Sequence, residues 1–326
     1  MGNSNWRLET TLNYIASELE SIDKLHDVEI ILVDWGSPTP LRSTLSLLPS
    51  AQRVLRYIEV PIDVHEQVCQ GSDFPISIAF NVGIRRAYGE YIALTSGDVL
   101  WPVLLFNALL YSDQSERHLN HSLVFIPRRH VPWDFVSQSP PINDFVHYLI
   151  TTGPSLPVEP LIPYYFGCAG ALVMHRDLWA ESRGNDERLV FWGYNDIDLC
   201  LRIRLKYRCL DFSHVSDTTV FHLEHYPSRE SSASAPRKSN PHLFNPFTVN
   251  DSQWGLAQYK FNQYPEQTDP FILPTKGRKV LFKLYLLKHL INILLFILSS
   301  FSRTHFRTCY TIFYDYYAFL KGRPRT

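Results

Sequence analysis

The sequence has no Cys-x-x-Cys pair. Its five cysteines, Cys69, Cys168, Cys200, Cys209 and Cys309, are odd in number and widely spaced, which argues against a disulfide framework or a structural zinc site. Buried thiols are the expectation. There is no His-Glu-x-x-His, so a zinc protease is not indicated. There is no Gly-x-Gly-x-x-Gly turn after a first strand either, which sets aside a Rossmann-type oxidoreductase. Long apolar runs are also missing. Val280 to Phe301 is dense in Leu, Ile and Phe, but Lys283, Lys288, His289 and Asn292 interrupt it, and its longest unbroken run is Ile293 to Leu298. A spanning helix needs roughly 18 to 20 apolar residues. Met1 to Arg7 is polar and leads into an amphipathic pattern, so no signal peptide is read and a cytoplasmic location is expected. Net charge is almost absent, at −1, and offers no overall basic field for nucleic acid. No internal repeat is visible.

What remains is the composition of an ordered protein: 326 residues, 45% hydrophobic and 19% charged, long enough to bury a genuine core. The charge balance hides an asymmetry. Residues 275–326 carry ten Lys or Arg and one acid, Asp315. The expected division is therefore a body, residues 1–265, followed by a basic helical tail, residues 266–326. An amphipathic helix flanked by Lys276, Arg278, Lys279, Arg303 and Arg307 suits two roles equally. It fits a peripheral contact with an anionic membrane at its inner face, or a contact between copies of the chain.

In the body, Leu8, Leu12, Ile15, Leu19 and Ile22 recur at helical spacing, and Val28 to Asp34 follows as a short apolar run ending in an acid. Val54 to Val60, Tyr91 to Thr95, Leu123 to Pro127 and Ala171 to Met174 read as further strands, with helices at Ile76–Tyr88, Trp101–Ser112 and Asn195–Tyr207. This alternation predicts an α/β fold with a mostly parallel sheet flanked by helices. Eight prolines between Pro127 and Pro163 mark that stretch as mostly loop. Short strands at Cys209–Phe212 and Thr218–His222 precede a Ser/Pro/Asn-rich loop, Pro227 to Asp251, placed to close over a ligand.

In open parallel sheets ligands gather at the carboxyl ends of strands. Asp34 ends one strand and Asp98 lies just past another, in Thr95-Ser96-Gly97-Asp98. Asn195, Asp196 and Asp198 sit where a loop becomes a helix, where capping competes with chemistry. Asp198 is expected to cap, to pair with Arg202 or to orient the loop. His222 and His225 follow a strand, and with an Asp from another strand end they offer mixed N/O ligands suited to a divalent ion such as Mn²⁺.

Five segments in order carry a resemblance: VEIILVDWGS (28–37), FNVGIRRAYGEYIALTSGDV (80–99), FGCAGALVMHRDLW (166–179), NDERLVFWGYNDIDLCLRIRLKY (185–207) and FHLEH (221–225). Together they resemble family-2-type glycosyltransferases, with a second half similar to the carboxyl-terminal segment of beta-1,4-galactosyltransferases. The resemblance implies a GT-A fold, a nucleotide-sugar donor, a carbohydrate acceptor and Mn²⁺ or Mg²⁺ on the donor diphosphate. It assigns Asp98, His222 and His225 to the metal and Asp196 to the acceptor hydroxyl as base. Asp34, Asn81 and Arg85 fall in segments lining the nucleotide, and Gly170, Trp192 and Gly193 in the donor-sugar and acceptor pocket.

The chain departs from that pattern at three residues. Ser96 stands where an acid usually precedes Asp98 by two, Trp35 replaces the second acid of the first motif, and Asn195 stands where Glu often precedes the base. The family's first strand would precede Met1. The resemblance thus implies an inverting, metal-dependent transferase using a UDP-sugar in polysaccharide or glycoconjugate synthesis. The departures supply the alternative, a catalytically impaired scaffold protein in a glycan-assembly complex.

Overall fold

The computed structural model describes residues 5–110, 121–161, 169–191, 193–204, 206–214, 218–225, 240, 250–266 and 271–275. The tail from 276 onward, with its expected membrane or oligomer contact, lies outside the described residues, as do Trp192 and most of the Pro227–Asp251 stretch. No helix among the described residues is long and apolar enough to cross a membrane.

Helix α1 (Trp6–Ser21) forms where the i, i+4, i+7 apolar spacing predicts it, and its buried face serves several parts of the core. Ile15 and Leu19 pack with Val99, Trp101 and Leu105, Ala16 packs with Ala51 and Val54, and Tyr14 joins Leu100 and Val131. Strand β1 (Ile30–Trp35) leads through α2 (Leu41–Thr44) and α3 (Pro49–Val54) to β2 (Leu55–Val60), which lies parallel to β1 with Asp34 opposite Glu59. Then come α4 (Ile62–Val68) and α5 (Ile76–Arg86). Gly83 of α5 lies so close to β1 that a Cβ there would sit 3.3 Å from Val33.

Strand β3 (Tyr91–Thr95) turns through Asp98 into the short β4 (Val99–Leu100), and α6 (Val103–Leu110) follows. Strand β5 (Ser122–Ile126) runs into β6 (Arg128–Val131), and next are α7 (Trp133–Val136), α8 (Ile142–Thr151) and β7 (Val158–Glu159). The second half holds β8 (Ala171–His175), α9 (Arg176–Ser182), α10 (Asn195–Arg204), β9 (Arg208–Asp211), β10 (Val220–Leu223) and β11 (Asn262–Tyr264).

The expected mostly parallel sheet is instead three mixed sheets, ordered β1-β2-β11, β3-β8-β5-β9 and β4-β10-β6-β7. Parallel pairs are β1 with β2, β5 with β9 and β6 with β10; the other five pairings are antiparallel. The 127–163 stretch is the reason for much of the difference. Its described part, 127–161, is not mostly loop, because several of its prolines stand at the starts of elements rather than break them. Pro132 and Pro141 precede α7 and α8, and their carbonyls accept the first helical hydrogen bonds from Val136 (3.1 Å) and Phe145 (3.3 Å). Pro127, which has no N–H to donate, marks the point where the chain leaves one sheet at β5 and enters another at β6. Strand β7 then returns antiparallel to β6, and β8 runs antiparallel to both β3 and β5.

Buried arginines tie the parts together. Arg56 on β2 reaches Glu29 (2.7 Å), Gln263 of β11 (2.7 Å) and the carbonyl of Arg86 (2.6 Å). Arg86 donates to the carbonyls of Gly255, Leu256 and Tyr259 at 2.7, 3.0 and 3.1 Å, which fixes the 255–259 segment against α5. Burial, helped by Arg85 and Arg56 nearby, pushes its pKa down to about 10, so it stays charged at neutral pH.

Candidate active site

Register brings Asp98 and the two histidines together. Strand β10 pairs antiparallel with β4, which sets His222 opposite Val99, and the amide of Leu223 donates to the carbonyl of Asp98 at 2.9 Å. The Asp98 carboxylate therefore lies beside the His222 ring, and His225 folds back from the end of β10. His225 Nε2 is 3.1 Å and His222 Nε2 3.5 Å from Asp98 Oδ2. One ligand atom from each of the three residues lies within 4.8 Å of the others. Asp98 and His222 are largely buried, at 16% and 13% side-chain exposure, whereas His225 is open at 54%.

This donor set suits a divalent cation. Mixed imidazole and carboxylate ligands match ions such as Mn²⁺. Asp98 Oδ1 is buried and, among the described residues, has no hydrogen-bond partner. A buried carboxylate oxygen without a partner carries a desolvation cost that a cation would relieve. Burial alone would raise the Asp98 carboxyl, but the His222 and His225 rings beside it hold it well below the usual carboxylate range. It is an anion at any physiological pH.

Behind His222 lies a group that the sequence reading missed. The parallel pairing of β10 with β6 sets His222 opposite His130, with Nδ1 facing Nδ1 at 3.3 Å and ring centroids 5.1 Å apart. His130 Nε2 is 2.8 Å from Glu159 Oε2, and the same oxygen accepts from Arg128 Nε at 2.6 Å. Burial favours neutral Glu159, yet Arg128 and His130 outweigh it and lower its pKa. No local signal marks this group, since RRHV does not alternate and His130 gains its meaning only from the strand it faces.

The remaining expected residues divide into two kinds. Asp34 is buried at the end of β1; its Oδ2 accepts from the amide of Leu41 at 2.7 Å, while Oδ1 is buried without a partner among the described residues. Next to it Trp35 packs with Val190, Ile78 and Phe191, and Trp35 Nε1 donates to His65 at 2.7 Å. Gly193 and Tyr194 are both left-handed, with φ of +87° and +67°, and a Cβ on Gly193 would meet nothing within 4 Å among the described residues. That turn delivers Asp196 to the first turn of α10, half-buried, with Oδ1 accepting from the amide of Ile197 at 2.9 Å. Asn195 anchors the same end through Ser77 at the start of α5 and the carbonyl of Leu189. Asn240 holds the turn from the other side, bonding Phe191 N and O and Gly193 O, each at 2.7 Å.

Asn81, Arg85 and Gly170 are instead engaged by protein. Asn81 is fully buried; its amide donates to Asn185 O and Glu187 Oε1 at 2.9 Å and accepts from Asn185 N at 2.7 Å. Arg85 stacks on Trp254 and donates to Thr275 Oγ1 at 2.8 Å; burial, then Arg183, pushes its pKa down to about 10. At Gly170 a Cβ would fall 2.3 Å from Val220 and 2.8 Å from Arg128, so this glycine lets its own backbone lie close against the paired strands β6 and β10. Asp198 forms the buried pair with Arg202, at 2.7 Å, and Arg202 also donates to the carbonyls of Ser182 and Gly184.

No family model matches the chain, and no curated protein matches its sequence. Solved structures do. The chain is similar to GalNAc-T7 with UDP, GalNAc and Mn²⁺, at 13% identity and a TM-score of 0.42, over 67% of this chain and 41% of that one. It is also similar to the catalytic domain of Drosophila beta1,4galactosyltransferase 7 in complex with xylobiose, at 16% identity and a TM-score of 0.35, over 76% of this chain and 74% of that one. The chain thus spans less than half the length of the first of these structures.

Proposed function

We propose that the chain is a metal-dependent glycosyltransferase of GT-A type that moves a sugar with inversion from a nucleotide donor, a UDP-sugar, to a carbohydrate acceptor. The observation that carries the reading is the meeting of Asp98, His222 and His225, residues far apart in sequence whose ligand atoms converge within 4.8 Å. These three would hold Mn²⁺ or Mg²⁺. A bound divalent ion there supplies charge stabilisation for the departing nucleoside diphosphate.

The chain's own groups do the rest. Asp98 stays anionic and presents Oδ2 to the two histidines, while its Oδ1 has no partner among the described residues. Asp34, buried at the strand end with one oxygen unpaired, is available to accept a donor N–H or O–H from the nucleotide. Gly193 leaves room beside the left-handed turn, and Asp196 at the head of α10 takes the proton of the acceptor hydroxyl. The left-handed Tyr194 beside it stores backbone strain where a non-glycine residue rarely sits, as turns at functional sites do.

Calorimetric titration of UDP with and without Mn²⁺ tests the reading. Binding is expected with Mn²⁺, its loss with chelator, and its loss in Asp98→Ala. UDP binding indifferent to the metal would overturn the metal assignment. No binding under either condition would favour the scaffold reading.

A further inference from the structure

Resting on the cation site proposed above, we propose that His130 and Glu159 are positioning residues that fix the His222 ring in the form able to bind a divalent cation. Neither residue belongs to the set that the sequence motifs single out. The argument is one of hydrogen-bond direction. Each neutral imidazole has one N–H and one lone pair, so two Nδ1 atoms 3.3 Å apart bond only if one ring donates and the other accepts.

Two neutral chains are then available. In the first, His222 carries its proton on Nδ1 and donates to His130 Nδ1. His130 then carries its proton on Nε2 and donates to Glu159 Oε2 at 2.8 Å, and the His222 Nε2 lone pair is left facing Asp98 and His225. In the second chain every proton is reversed. His130 Nε2 would press a lone pair against the Glu159 carboxylate, and His222 Nε2 would hold a proton where a cation must bind.

Glu159 and a bound cation together select the first chain. The carboxylate draws the His130 proton to Nε2, and the cation takes the place of the proton that Asp98 would otherwise draw to His222 Nε2. Arg128, at 2.6 Å on the same oxygen, keeps that carboxylate in place, and the antiparallel register of β6 with β7 sets Arg128 opposite Glu159. The His222 Nε2 to Asp98 Oδ2 separation, 3.5 Å, is at the outer edge of a hydrogen bond, so little is lost when both atoms turn their lone pairs to a shared cation. Metal-binding histidines commonly donate their second N–H to an outer partner, which sets the tautomer and ring angle. Removing such partners costs about ten- to a hundredfold in metal affinity. Here the outer partner is a second imidazole backed by a carboxylate.

The experiment uses the full chain. Long-range ¹⁵N–¹H correlation spectra of ¹⁵N-histidine-labelled protein with Mg²⁺ are expected to place the His222 proton on Nδ1 and the His130 proton on Nε2. Finding the His222 proton on Nε2 overturns the proposal without any substitution. In parallel, Mn²⁺ binding is followed by electron paramagnetic resonance for the unsubstituted chain, Asp98→Ala, Glu159→Gln and His130→Phe. Glu159→Gln keeps an oxygen for Arg128 and is expected to bind Mn²⁺ about ten- to a hundredfold more weakly while melting near the unsubstituted temperature. Unchanged affinity in both Glu159→Gln and His130→Phe overturns the relay. If the unsubstituted chain binds no Mn²⁺, or Asp98→Ala binds it equally well, the cation site itself is wrong, which is a separate outcome.

Discussion

Glycines and acids that the sequence motifs single out part company once their surroundings are known. A Cβ on Gly193 would meet none of the described residues, whereas Gly170 has Val220 and Arg128 where a Cβ would go, at 2.3 and 2.8 Å. Gly170→Ala is therefore expected to push against Val220 of β10 and Arg128 of β6 and cost about 1–3 kcal/mol, read from a urea titration. Because His130 and His222 lie on those same two strands, Mn²⁺ affinity should fall with it. A variant as stable as the parent would show that the strands yield without strain. Asp98 and Asp198 make the same contrast. Asp198 has a buried arginine at 2.7 Å, while Asp98 has two histidines and one oxygen with no partner among the described residues. Asp98→Asn keeps the shape but removes the charge, and is expected to lower Mn²⁺ affinity by at least tenfold in a titration.

At the scale of elements, the loop that delivers Asp196 depends on Glu187. Its carboxylate accepts from Asn81 of α5 at 2.9 Å and from the Gly255 amide at 2.6 Å, and burial raises its pKa despite both bonds. The sign follows from linkage. A carboxyl with a raised folded value binds protons more readily when folded, so stability rises as pH falls through that value toward the ordinary value near 4.3 and is lower above it. Glu187→Gln keeps an oxygen for both donors and removes the buried charge. Its melting temperature relative to the parent should therefore be highest at neutral pH and decline as the pH is lowered through the acid range. A difference that stays constant with pH would show that Glu187 ionises without penalty.

Elements were legible where periodicity was strong and local. The 3.6-residue spacing of α1, the apolar run of β1 and the YIALT strand all appear near where their patterns put them. The Asp98, His222 and His225 grouping was legible because each residue belongs to a short motif beside a strand end. His130 and Glu159 were not, because their meaning lies in register: His130 matters only as the residue opposite His222, and nothing local to RRHV says which strand it will face. Sheet direction was misread for the same reason, since β8 and β11 take their places through pairings distant in sequence.

For the whole molecule, the described groups fall into two sets held by one scaffold. Asp98 and the histidines rest on β4, β6 and β10, while Asp34, the Gly193 turn and Asp196 are gathered around β1, α5 and α10. If both sets serve one donor, ligand binding couples them. UDP with Mn²⁺ at about a hundredfold excess over its dissociation constant should then stabilise the folded state by roughly 2.7 kcal/mol. A shift of that size is read directly in a thermal melt. Asp196→Asn separates the two jobs. On the proposed reading it removes the base but no ligand of the donor, so the melting shift should survive while sugar transfer falls by about 10²- to 10⁴-fold. Asp98→Ala should do the opposite and remove the shift itself. An Asp196→Asn protein that transfers sugar at the parent rate would move the base elsewhere. One that loses the melting shift as well would place Asp196 in the donor site.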